Sequence, residues 1–147
     1  VIEDASCSMA SNAAQLRAIS TTWDGTSWDN GTPTITIAAI INGDYNTISN
    51  GSFSACSLVV NGSNRLTIGN NTFVEVENDV TVSGELYVET KGALVQNNDS
   101  SSFTLTGGTA LVNKSTTPLN SVYEYTYWIS PAANVMFQEG WAFSNPS

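Results

Sequence analysis

Histidine is absent, and basic residues are scarce: four Lys and Arg stand against thirteen Asp and Glu, for a net charge of −9. Without an imidazole there is no Ser-His-Asp or Cys-His machinery and no His-ligated zinc, and two cysteines cannot complete an all-Cys site. Without a basic footprint phosphate counterions are not displaced, so nucleic acid is excluded as a partner. No apolar run approaches the roughly 20 residues of a membrane-spanning helix, so no membrane insertion is expected. Charge of either sign is sparse, at 12% of residues, about half the usual share. Ser, Thr, Asn and Gly fill its place. Such surfaces are typical of extracellular, β-rich chains, because Thr and Val favour strands while Asn and Gly favour turns. No basic-then-apolar leader opens the chain, which starts at Val1 without Met and stops at Asn145-Pro146-Ser147. It reads as a piece of a longer exported protein.

What is present is a 147-residue chain, 41% hydrophobic, long enough for one core without metals. Ser8 to Ile19 is the one helical candidate, with Met9, Ala13, Leu16 and Ile19 near one face. It predicts a short N-terminal helical cap. From Pro33 the period becomes two: Ile35, Ile37, Ala39 and Ile41 alternate with their neighbours until Gly43-Asp44. Short apolar pairs follow: Leu58/Val60, Leu66/Ile68, Val74/Val76, Val80/Val82, Leu86/Val88, then Leu94, Phe103/Leu105 and Leu111.

These pairs recur. Leu58 to Val80 spans 22 positions, and both Leu66 to Leu86 and Val74 to Leu94 span 20. Leu86 to Phe103 and Leu94 to Leu111 both span 17, and Ala93-Leu94-Val95-Gln96 matches Ala110-Leu111-Val112-Asn113 in pattern. A fixed order of three pairs about every 20 residues predicts an all-β fold, a parallel β-helix (solenoid) with three short strands per coil. An antiparallel sandwich is the competing architecture. The expected division is a cap and opening motif over 1–33, coils over 34–119, and an aromatic segment over 120–147. In that last segment Tyr123, Tyr127, Trp128, Phe137 and Trp141 are expected to cover an open end.

Thr22-Trp23-Asp24-Gly25-Thr26-Ser27-Trp28-Asp29-Asn30-Gly31-Thr32-Pro33 resembles the W-x-G-x-x-W-x-x-G-x-P motif of secreted Bacteroidota surface proteins. Gly43-Asp44-Tyr45-Asn46-Thr47, Phe53-Ser54-Ala55-Cys56-Ser57-Leu58 and Tyr123-Glu124-Tyr125-Thr126-Tyr127-Trp128-Ile129-Ser130-Pro131 are similar to segments that follow it in those chains, with Ile129 in place of the usual Ser. The resemblance implies a cell-surface or secreted location and export by a type IX secretion system. It implies no active site.

Candidate sites are few. Trp23, Trp28 and Tyr45 are candidate binding rings, since a flat apolar ring suits the C–H face of a sugar; the alternative is packing against the first coil. Glu75, Glu77 and Asp79 are candidate oxygen ligands, with calcium the one ion considered; the alternative is solvated acid. No other cofactor is expected. Cys7 and Cys56 suggest a disulfide in an exported chain; the alternative is a small buried Cys56. Six N-x-S/T triplets, Asn70-Asn71-Thr72 among them, read as turn chemistry. Three functions are weighed. The first is a non-enzymatic structural or adhesive module, a stalk, spacer or filament unit whose partners are neighbouring copies or adjacent domains. The second is a glycan- or protein-binding module, with polysaccharide as partner. The third is a carbohydrate-active β-helix enzyme, against which stand the few cations Arg17, Arg65, Lys91 and Lys114.

Overall fold

In the computed structural model the described residues are 20–115. The expected N-terminal helix and the aromatic segment over 120–147 lie outside them. The chain divides into two compact units, Val1–Ser115 and Thr116–Ser147.

The described residues form twelve short strands and one helical turn. In chain order these are β1 (Ser20–Trp23), β2 (Ala38–Ile41), β3 (Tyr45–Asn46), α1 (Thr47–Asn50), β4 (Phe53–Ala55), β5 (Leu58–Val60) and β6 (Arg65–Ile68). They continue with β7 (Phe73–Val76), β8 (Val80–Val82), β9 (Glu85–Val88), β10 (Ala93–Gln96), β11 (Phe103–Leu105) and β12 (Thr109–Val112). All pairing between these strands is parallel. The first sheet runs β1-β2-β5-β8-β11, the second β3-β6-β9-β12 and the third β4-β7-β10. From β2 onward successive strands therefore belong to successive sheets, and each sheet receives one strand per turn. That is a parallel β-solenoid of about five turns, as the repeat predicts. The stack already begins at β1, ahead of the residue-34 boundary drawn from the period-two pattern.

The apolar pairs explain the register. Leu58/Val60 stacks on Val80/Val82, Leu66/Ile68 on Leu86/Val88, and Val74 on Leu94. All of these but Leu94 are buried, and they line one continuous core with Ile41, Tyr45 and Phe53. Alternation places Glu75, Thr81 and Tyr87 on the outer faces, only partly buried.

The 17-residue spacings are a different matter. Leu86 pairs with Ala110 and not with Phe103, and Phe103 sits on Val80, 23 positions back. β10 and β12, which share their sequence pattern, belong to different sheets. The cause is the corner loops. Three residues join β7 to β8, whereas six, 97–102, join β10 to β11. The last coil lengthens, and a fixed-period count slips from one sheet to the next. Leu111 consequently pairs with Tyr87 and points outward, 48% exposed. Ile35 and Ile37 also fall outside β2, in a turn.

Corners are tied to the next coil by polar side chains. Asp44 Oδ1 accepts from Arg65 N (2.8 Å), Asn70 Oδ1 from Lys91 N (2.8 Å) and Asp79 Oδ1 from Ser102 N (2.7 Å). Main chains approach so closely that side chains are excluded. A Cβ on Gly84 would lie 2.3 Å from the Asn64 carbonyl oxygen, and one on Gly108 would lie 2.4 Å from that of Gly84. Asn71 takes a left-handed φ of 61°, which asparagine tolerates, so this N-x-T triplet is used as a turn.

This register separates two apolar positions, Ile68 and Leu111, that look alike in the sequence. Ile68→Ala removes a fully buried side chain and should cost about 2–5 kcal/mol in urea denaturation. Leu111→Ala should stay within about 0.5 kcal/mol of the parent. A core-sized loss at Leu111 would restore the 17-residue register.

Candidate functional site

The three candidate rings meet. Asp24 makes the turn that brings them together: its Oδ1 accepts from the backbone N–H groups of Thr26 (2.7 Å) and Ser27 (2.8 Å), beside Gly25 at φ 103°. Trp23 and Trp28 then form an isolated antiparallel bridge. Asp29 closes the turn by accepting from Thr22 N (2.7 Å) and Thr21 Oγ1 (3.1 Å). These hydrogen bonds hold both carboxyls below the ordinary aspartate range, from Ser27 and then Thr26 at Asp24 and from Thr22 first at Asp29.

Trp23 packs edge-on against Tyr45 (4.9 Å between centroids) and lies 5.6 Å from Trp28. Phe53 joins edge-on to Trp28 (5.5 Å) and Tyr45 (5.3 Å). The polar ends are satisfied inside: Trp23 Nε1 donates to Asp44 O (3.0 Å), and the Tyr45 hydroxyl shares its proton between the carbonyls of Asn50 and Gly51. Burial pushes the Tyr45 phenol above its usual range. At 6% and 1% exposure, Trp23 and Tyr45 present no face to a sugar. Trp28 is half-buried against them. The cluster packs the first described turns of the solenoid, its edge-to-face rings continuous with the apolar core.

The candidate metal acids separate. Glu75 and Glu77, two apart on an extended segment, share a face, and Asn97 on the next coil donates its amide to both (3.1 Å each). Ser54 Oγ on the previous coil donates to Glu75 Oε2 (2.8 Å). The Asn97 and Ser54 bonds, in that order, lower the Glu75 carboxyl. Asp79, past the corner, instead binds Ser102 through its N–H and its hydroxyl (2.7 and 3.0 Å). Among the described residues no three acidic or cysteine side chains converge on a metal position. The like charges of Glu75 and Glu77 on this one coil are relieved by amide and hydroxyl donors from the coils on either side.

Cys56 is buried at the corner between the third and first sheets and is disulfide-bonded. Cys7 lies outside the described residues. Asn78 donates to Cys56 Sγ (3.4 Å) and Asn98 donates to Asn78 Oδ1 (3.0 Å), so one polar side chain per coil ascends this corner.

A feature with no motif lies at the corner between the first and second sheets. A groove of about 450 Å³ crosses four coils there, past Asp44, Arg65, Glu85 and Thr109. Arg65 forms an ion pair with Glu85 (3.3 Å) and lies 4.7 Å over the Tyr87 ring. The visible signal was Arg65 and Glu85 at the 20-residue coil spacing, flanked by Gly84 and Gly107-Gly108.

A family model described as a domain of unknown function (DUF8693) matches residues 17–146. No curated protein and no solved structure matches the chain.

Two predictions follow the site geometry. Cys56→Ser should lower stability by about 2–5 kcal/mol, and the unreduced chain should take up no thiol-alkylating label in mass spectrometry; labelling without reductant would contradict the bond. Asp24, Asp29 and Glu75 should titrate below their ordinary values in carboxyl NMR. Their folded pKa values are depressed, so their stabilisation is complete above the unfolded values and is lost as pH falls through the folded ones. Titration at or above ordinary values would mean the turn and ladder bonds are absent in solution.

Proposed function

We propose, for a chain that belongs to the DUF8693 family, a non-enzymatic structural or adhesive role as a stalk, spacer or filament unit within a larger protein exported to the cell surface. The observation that carries this reading is the uninterrupted parallel register, with polar side-chain bonds crossing from coil to coil at every corner. A stack of this kind resists bending, because each coil is held to its neighbours by backbone ladders and by a core that runs along the axis. The sparse, acidic surface keeps such a module soluble. The tryptophan-rich opening motif, similar to that of secreted Bacteroidota proteins, supports the location and the type IX route. The acids that would have to work in a glycosidase are engaged with Asn97, Ser54 and Ser102. A glycan- or protein-binding role is the second reading, and the corner groove favours it.

The test has two parts. On intact source cells, external protease should remove the chain while intracellular markers survive. The purified chain should show no saturable turnover on a polysaccharide panel. Turnover that disappears in Glu75→Gln or Glu77→Gln would overturn the non-enzymatic role, and protection from external protease would overturn the surface location.

A further inference from the structure

We infer that the groove between the first and second sheets binds a neutral, hydroxyl-rich saccharide chain laid along the solenoid axis. This adds to the scaffold role and does not depend on it.

The groove follows one register column. Arg65 pairs with Glu85, and Glu85 with Thr109, while Asp44 caps the Arg65 N–H from the coil before. Polar side chains therefore repeat at the strand spacing of about 4.8 Å, close to the rise of one hexose unit in an extended glycan. A linear saccharide meets a new polar side chain at nearly every sugar.

The floor is main chain. Gly84 and Gly108 cannot carry a Cβ without striking the carbonyls of Asn64 and Gly84.

The walls keep unspent hydrogen-bonding atoms. Asp44 and Glu85 each use one carboxylate oxygen, on Arg65 N and on Arg65 Nη2 respectively. Asn64 spends its amide N–H groups on the carbonyls of Asn61 and Gly62 (3.2 Å each), which leaves its Oδ1. Ser63 and Thr109, each carrying a hydroxyl, line the same groove. Arg65 lies over the Tyr87 ring, half-exposed, and has N–H donors beyond the one given to Glu85. Acceptors and donors thus alternate at short range. A sugar diol, in which each hydroxyl both donates and accepts, satisfies that alternation; a purely accepting or donating ligand does not.

Charge selects further. One guanidinium faces two carboxylates, so the groove carries a net negative charge, which disfavours uronate and sulfated polymers. The Tyr87 face is spent on Arg65, so binding rests on hydrogen bonds, with little ring stacking.

The experiment is a ¹⁵N-labelled NMR titration of the full chain with cello-, xylo- and manno-oligosaccharides, with oligogalacturonate as the anionic probe. At least one neutral series should shift the amides of residues 63–65, 83–85 and 107–109, and oligogalacturonate should shift them less. Arg65→Gln should weaken that binding by about tenfold or more, and Thr109→Val by about threefold. Val95→Ser, on the outer face of the third sheet, should bind as the parent does. Each variant's amide spectrum establishes that it is folded, and Thr109→Val decides the matter if Arg65→Gln does not fold. No shift with any neutral series, shifts confined to other faces, an equal or stronger response to oligogalacturonate, or unchanged affinity in the folded variants would overturn the inference while leaving the scaffold role standing.

Discussion

Everything in this structure depends on strands stacking in parallel at a single coil spacing. A coil's apolar pairs have too little area to be buried by their own turn, so each is covered by the coils on either side. Leu58/Val60 is buried between Ala39/Ile41 and Val80/Val82, and Leu66 between Tyr45 and Leu86. The same dependence explains the outermost coil. Phe103 and Leu105 occupy the positions that Val80 and Val82 hold one turn earlier, yet they are exposed, because among the described residues no further strand stacks on β11. Burial in this molecule is therefore set more by position along the axis than by residue type.

The spacing also dictates corner chemistry. Where the path bends, backbone groups leave the ladder and need other partners. Short polar side chains supply them from the adjacent coil, as Asp44, Asn70 and Asp79 do. Where even a methyl will not fit, glycine is required, at Gly84 and Gly108.

Period and inward pairs were legible in the sequence because alternation in a half-buried strand is a direct imprint of the core. Leu58, Leu66 and Val74 and their successors sit where the 20- and 22-residue spacings put them. The last coil was not legible. Ala93-Leu94-Val95-Gln96 and Ala110-Leu111-Val112-Asn113 look equivalent, and only the six-residue corner between β10 and β11 moves the second to another sheet. Loop length leaves no periodic trace, so counting fails where a corner grows. The ring cluster was legible as a set of residues but not in its burial: Trp23 and Tyr45 are hidden by the turn that Asp24 nucleates and by Phe53, far along the chain. The pairing of Glu75 with Glu77 followed from alternation, whereas the departure of Asp79 depended on Ser102, one coil away.

Among the described residues the core is filled mainly with Val, Leu and Ile, and the polar side chains stand on the outward alternates and at the corners. The two differ in kind. Outward alternates such as Glu75 and Thr81 stand over a flat sheet, where neighbours in adjacent coils bind one another, as Ser54 does with Glu75. At the corner that holds Gly84 and Gly108, Asp44, Asn64 and Glu85 keep acceptor oxygens beyond the bonds that tie the coils together. In a solenoid with so few charges, one ion pair at such a corner, Arg65 with Glu85, marks the place where coil spacing and unsatisfied hydrogen-bonding capacity coincide. The repeat that stabilises the stack thereby also sets the period of whatever chain lies along it.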